Sequence, residues 1–439
     1  MVRARRGSSA DLWVATAVYD RRFAMSAAST LLTFLHTGNP TGLKFLVEHG
    51  DARCLFDFGR EHSPGRTLFS LGLEPRHGSE LGDLLAVGAA PPLEGVYAGD
   101  AWDGRTHLFI THMHLDHTGL IPLLGPAVPL YYPAAMEPVR AAADSSGYLP
   151  WRHPTGSGVA DGETIAVGPI RVRFVAVDHD VPGATGFLIE TPEASLAFTG
   201  DHRWHGLRPE LTEAFADAAR GVDLLIQEGV SLGSVSIDGA PLPLHEADAI
   251  SELGRALVEA PGLVIVNCYG MNRERVAGLA AGCAAAGRRL LMEPQMAAMS
   301  GWPDVLGSTD PIRDDPRGHC LQLGFESLPL LIDLQPPPGS VWIQSGGSPM
   351  GPFDPAYAVL EAWSARFDIE LQTITSSGHS RPEDVLRMVT TVHPKVVLPV
   401  HSRAPEALVV PGVPSFLPQA GIAYRVADIL AGVSSAPSG

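Results

Sequence analysis

The chain has 439 residues, 45% hydrophobic and 18% charged, with a formal net charge of −17. That size buries a sizeable core in about two domains, and no apolar run is long enough to span a membrane. The acidic balance argues against a surface that is basic throughout, the usual partner of a phosphate backbone.

Residues 1–24 carry Arg3, Arg5, Arg6, Arg21 and Arg22 without a continuous apolar core. They read as a disordered extension and not as a secretory signal, with Met25 a candidate start. Leu108-Phe109-Ile110 reads as a buried strand and Thr118-Gly119-Leu120 as a turn. Between them stands His112-Met113-His114-Leu115-Asp116-His117. In extended backbone, residues two apart point the same way, so His112 and His114 can grip one ion. Asp116 and His117 then turn toward a second. Imidazole and carboxylate without thiolate suit zinc, with manganese or iron as alternatives, and an incomplete protein shell leaves positions for water.

Further along, alanine-rich helical stretches (Glu246 to Leu257, Arg275 to Ala286) alternate with short apolar runs, as in layered α/β structure. Gln335-Pro336-Pro337-Pro338-Gly339 reads as a stiff loop and Ser434 to Gly439 as a frayed tail. Cys54, Cys268, Cys283 and Cys320 are scattered, lack Cys-x-x-Cys spacing and lie mostly in apolar surroundings. This fits reduced, buried thiols in a cytoplasm.

The His-x-His-x-Asp-His stretch after a strand resembles the signature of the metallo-β-lactamase superfamily. Other motifs extend the resemblance: Asp57 in Cys54-Leu55-Phe56-Asp57-Phe58-Gly59, His179 in Val177-Asp178-His179-Asp180-Val181-Pro182-Gly183, and Asp201 in Phe198-Thr199-Gly200-Asp201. It implies that Asp57 supports the metal loop, that His179 completes the first metal's ligands, and that Asp201 bridges two ions. Ser377-Gly378-His379 and Leu398-Pro399-Val400-His401 resemble the β-CASP branch, the nucleic-acid-processing members that include ribonuclease J. There His401 completes the second metal's shell, and His379, oriented by Glu228, stands near the scissile phosphate. The implied metal ligands are His112, His114, Asp116, His117, His179, Asp201 and His401, and the implied catalytic group is Asp116, Glu228 and His379.

Leu263-Val264-Ile265-Val266-Asn267 leading to Asn272 and Arg275 resembles the cassette of ribonuclease J. So do Gly287-Arg288-Arg289-Leu290-Leu291 and Ile343-Gln344-Ser345-Gly346-Gly347. The resemblance implies substrate contacts at Asn272, Arg275, Ser345 and Gly346, with Arg273, Arg288 and Arg289 adding positive charge. The implied fold is an α/β, αββα metallo-β-lactamase sandwich with an inserted β-CASP-like cassette. The sandwich takes residues 25–228 and 371–439, and the cassette 229–370. Two departures stand out: Ser402 where many relatives carry glycine, and a cassette of modest length. The sequence also stops soon after His401, so a separate C-terminal domain of the kind ribonuclease J carries is not expected in it.

Two divalent ions lower the pKa of a bridging water toward about 7, so hydroxide is the expected nucleophile. The function implied is a ribonuclease J-like nuclease acting on RNA or single-stranded DNA. The alternative is a small-molecule metallo-hydrolase acting on a lactone, thioester or small phosphodiester, because a fold alone does not fix a substrate. A binding protein without turnover is a third reading, and homo-oligomerisation stays open. His202 and His205, just past Asp201, are placed to shape substrate choice.

Overall fold

Lys44-Phe45-Leu46-Val47-Glu48-His49 and Leu224-Leu225-Ile226-Gln227-Glu228 are strands buried along their whole length. Strands covered on both faces lose the usual apolar–polar alternation. A computed structural model of the chain describes residues 29–434, apart from 39–40, 64, 71, 150–154 and 234–243. The arginine-bearing extension 1–24 and the tail beyond 434 lie outside the described residues.

Among the described residues the first sheet has seven strands, in the spatial order Ala423–Arg425, Thr30–His36, Lys44–His49, Ala52–Phe56, Thr106–Phe109, Leu130–Pro133 and Ser157–Val159. The second has six: Val396–Val400, Leu224–Glu228, Ser195–Phe198, Thr185–Glu190, Ile170–Ala176 and Thr164–Val167. Their inner faces meet in a core of phenylalanines. Phe45 and Phe198 contact edge to face across the gap at 5.0 Å, and Phe56 and Phe187 meet at a tilt at 5.4 Å. Helices Glu80–Ala86 and Glu137–Ser146 cover the outside of the first sheet through Leu84, Val139 and Ala143. Helices Pro209–Ala218 and Pro382–Val392 cover the second through Phe215, Val385 and Met388. The layers are therefore αββα.

A third sheet forms the inserted cassette. Its five parallel strands lie in the order Arg289–Met292, His319–Gln322, Val264–Cys268, Val341–Ser345 and Glu370–Thr373. Helices Glu246–Glu259 and Arg273–Ala285 pack on one face, and Tyr357–Arg366 on the other. The last strand carries the cassette sheet past residue 370. All four cysteines are free and buried, and burial pushes the Cys268 thiol up to about 12. Among the described residues no helix is long and apolar enough to cross a membrane.

Charge also joins the two bodies. Arg203, just after a strand of the second sheet, and Arg275 of the cassette both grip Glu246, at 2.9 and 2.7 Å, and all three are buried. Glu246 holds its charge despite burial because the two guanidiniums outweigh the loss of water. Removing one member of a buried ion network strands the others without compensation. Glu246→Ala is therefore expected to cost about 3–5 kcal/mol in urea unfolding. Phe187→Ala, which empties the centre of the phenylalanine core, is expected to cost about 3–5 kcal/mol by the same measurement.

Candidate metal centre

The C-terminal ends of the parallel strands open on one edge of the sandwich, and the histidines and carboxylates gather there. His112 follows Thr106–Phe109, His179 follows Ile170–Ala176, Asp201 follows Ser195–Phe198, and His401 follows Val396–Val400. Asp116 and His117 sit in a short helix, Leu115–Thr118, whose N-cap is His114. Where the sequence suggested a turn only after the motif, the chain already begins to coil inside it. That coil redirects Asp116 and His117 away from His112 and His114.

Among the described residues three overlapping groups of candidate ligand atoms result: His112, His114, His179 and Asp201; Asp116, His117 and His401; and Asp201, His379 and His401. Asp201 stands at their meeting point. Its Oδ2 lies 3.5 Å from His112 Nε2, 3.1 Å from His117 Nε2 and 3.3 Å from His401 Nε2. His401 Nε2 is also 3.4 Å from Asp116 Oδ2. His114 Nδ1 lies 3.0 Å from His112 Nε2 and 3.1 Å from His179 Nε2.

The surrounding backbone holds these rings in place. Asp57 Oδ2 lies 2.7 Å from His117 Nδ1, and Asp57 Oδ1 accepts from the Thr111 amide at 2.8 Å. Asp57 and His401 have φ of 53° and 50°, a left-handed conformation that non-glycine residues adopt at a cost of about 1–3 kcal/mol, typically at working sites. Gly59 permits the close approach of the motif's helix: a Cβ there would stand 1.5 Å from the Asp116 carbonyl oxygen. Lys44 is buried beside it and donates to the carbonyls of Gly42 and Gly59, a support the sequence reading missed.

Glu228 is buried, accepts from the amides of Val230 and Ser380 at 3.0 and 3.3 Å, and lies 3.7 Å from His379 Nδ1. His379 Nδ1 is equally 3.7 Å from Asp201 Oδ2. His202 and His205 are buried beneath this loop. The His202 ring contacts Ser380 Oγ and Gln227 Nε2, and His205 Nε2 contacts the Ser377 carbonyl. They shape the loop that carries His379 and do not open on the cleft.

The cassette turns its sheet's C-terminal edge toward the cluster. Tyr269, just after Val264–Cys268, brings its ring to 5.4 Å from His114. That strand lies where the cassette's strand order reverses, the crevice in which open α/β sheets bind ligands. Asn272 caps helix Arg273–Ala285 by accepting from the Arg275 amide at 2.9 Å. The Arg275 guanidinium is spent on Glu246, Ser345 Oγ and the Ile374 carbonyl, and Ser345 Oγ donates to Ile374 as well. Gly346 ends its strand with φ of 92°. Arg288 is buried among the carbonyls of Leu257, Ala260, Gly262 and His319, and Arg289 pairs on the surface with Asp304. The charge expected above the cluster from Arg275 and Arg288 is thus folded into the cassette, because each met acceptors distant in sequence.

The donor set fits a cation. Both Asp201 oxygens, His117 Nε2 and both His401 nitrogens are buried without a well-aligned hydrogen bond, and such groups cost free energy unless something pairs with them. Burial is the largest influence on His112, His117, His179, His379 and His401. It holds His179 down to about 3 and His112 well below its usual range, as neutral donors. Burial pulls His117 and His401 the same way, but Asp201 and Asp116 outweigh it and raise both. At His379, Asp201 and Glu228 outweigh burial and lift the ring to about 9. The carboxylates therefore demand positive charge, which a proton or a metal ion supplies.

Residues 87–247 match the family described as beta-lactamase superfamily domain. Ribonuclease J of Mycobacterium tuberculosis is 28% identical over 195 residues, which cover 44% of this chain and 34% of the relative. Ribonuclease J of Mycolicibacterium smegmatis is 24% identical over 334 residues, covering 69% of this chain and 59% of that one. The chain thus matches about a third of the first relative's length and under two thirds of the second's. A crystal structure of a protein of unknown function from Enterococcus faecalis V583 has a TM-score of 0.77 and 29% identity, covering 90% of this chain and 100% of that one. With its His-x-His-x-Asp-His loop on the edge of an αββα sandwich, the chain carries over residues 87–247 a domain that matches the metallo-β-lactamase superfamily, and it is similar to ribonuclease J at low identity.

Proposed function

We propose that this protein is a dinuclear metal-dependent phosphodiesterase, a nuclease of the ribonuclease J kind acting on RNA or single-stranded DNA. The observation that carries the reading is His379: a ring from the late Ser-Gly-His motif is held between Glu228 and the shared Asp201, beneath a cassette edge, in a chain similar to ribonuclease J. His112, His114 and His179 would hold one ion, Asp116, His117 and His401 the other, and Asp201 both. Zinc suits these ligands best, with manganese or iron as alternatives. Bound there, a divalent pair supplies an acidified water and draws charge from a phosphoryl oxygen. His379 keeps a proton beside Glu228 and delivers it to the departing oxygen. Asn272, Arg275 and Ser345 set the cassette edge, and the Gly346 backbone and Tyr269 line the cleft.

The second reading, a hydrolase of lactones, thioesters or small phosphodiesters, is favoured by one observation. The net charge is −17 and the Arg275 and Arg288 guanidiniums are buried, so these two are not free to track a long phosphate backbone.

Metal-loaded protein offered end-labelled RNA and single-stranded DNA beside a lactone and an aryl phosphodiester should cleave the nucleic acid, with Asp116→Ala inactive. Hydrolysis of the carbonyl esters alone contradicts the nuclease reading. His379→Ala should keep its metal and lose about 100-fold or more in turnover, the scale of a general acid; normal turnover refutes that role. Zinc at about 1,000 times its dissociation constant should stabilise the metal-free chain by about 4 kcal/mol, seen as a higher melting temperature. Asp201→Ala should remove most of that gain, and an equal gain in the variant would rule out the shared ligand.

A further inference from the structure

A histidine that binds metal through one ring nitrogen needs a partner on the other, because that partner selects the tautomer and aims the ring. Three candidate ligands have such a partner. Thr111 Oγ1 lies 3.0 Å from His112 Nδ1, Asp57 Oδ2 lies 2.7 Å from His117 Nδ1, and the Gly378 carbonyl lies 2.5 Å from His179 Nδ1. His114 is turned the other way. Its Nδ1 meets the cluster, at 3.0 Å from His112 Nε2 and 3.1 Å from His179 Nε2, so Nε2 is the atom that needs an anchor.

Asp180 Oδ1 stands 3.4 Å from His114 Nε2. It is also 3.3 Å from His179 Nε2. That ring already donates from Nδ1 to the Gly378 carbonyl, so in its neutral form Nε2 carries a lone pair and has no proton to offer. Of the two rings, only His114 can donate to Oδ1. The oxygen has no competing partner: Oδ1 is buried and receives no well-aligned hydrogen bond from any described residue, with His114 Nε2 at 3.4 Å close enough to supply one on a small turn of the ring. The space is made by Gly378, where a Cβ would stand 2.6 Å from Asp180 Oδ1 and 2.7 Å from His179 Cε1. The Tyr269 ring, 5.4 Å from that of His114, packs beside the imidazole.

We propose that Asp180 is a positioning residue of the metal centre, accepting a hydrogen bond from His114 Nε2–H and so keeping Nδ1 turned toward the metal. The inference rests on the reading of this cluster as a metal centre, but on no particular substrate.

The test is a titration of the metal-free full chain with Zn2+ against a chelator of known affinity, for wild type, Asp180→Ala and Asp180→Asn, with 15N-histidine NMR of the zinc-loaded forms. Removing the outer partner of a metal-bound histidine costs about 10- to 100-fold in metal affinity. That loss should fall on one equivalent of zinc in Asp180→Ala, with Asp180→Asn between it and wild type and the melting temperature of the metal-free chain unchanged. In wild type the spectrum should show His114 protonated at Nε2, with that proton exchanging faster in Asp180→Ala. Wild-type affinity for every equivalent, in whichever variants fold, overturns the proposal. A wild-type chain that takes up no zinc instead overturns the metal-centre reading beneath it.

Discussion

Everything at this site depends on one buried carboxylate. Asp201 is 1% exposed, and neither oxygen receives a well-aligned hydrogen bond. Around it stand ring nitrogens from three histidines, all within 3.5 Å of Oδ2. A carboxylate taken out of water and given no donors is costly unless positive charge lies against it. Together with Asp116 and Glu228, Asp201 raises His117, His379 and His401 against the effect of burial, so the pocket favours positive charge beside it.

The fold makes that convergence affordable by spreading its parts over rigid elements. The two sheets share an inner core of phenylalanines, so the strand ends that carry His112, His179, Asp201 and His401 cannot shift independently. The short helix at Leu115–Thr118, packed against Gly59, turns half of the main motif toward the second group of ligands. The cassette is then fixed over the edge by Arg203, Glu246 and Arg275. This network also reaches the site itself. Arg203 Nη1 contacts the Ser377 carbonyl as well as Glu246, and Ser377 Oγ accepts from the His379 amide at 3.0 Å. The loop bearing His379 is thereby tied to the body that covers it.

Much of the clustering was legible in the sequence because the main candidate ligands are local. His112 to His117 fall within six residues, and a strand before them sets which side each faces. Asp57, His179, Asp201 and His401 were legible through motifs at strand ends, where apolar runs stop abruptly. What stayed hidden depends on partners far apart in the chain. Arg275 reads as a substrate contact until Glu246 and Ser345, 29 and 70 positions away, fold around it. Arg203 and Glu246 carry no local signal of their pairing across 43 residues. His202 and His205 resemble cleft residues by their closeness to Asp201, but Gln227 and the Ser377–Ser380 loop enclose them. Asp180 was in view beside His179, and only the direction of the His114 ring shows what it faces.

The most direct test of this account is a crystal of the zinc-loaded protein measured at the zinc absorption edge. The account predicts two anomalous peaks on either side of Asp201, with ligand distances of about 2.0–2.2 Å. One should lie among His112, His114 and His179, and the other among Asp116, His117 and His401. No peak in the cluster, with Asp201 satisfied by other donors or His401 facing away, would contradict it.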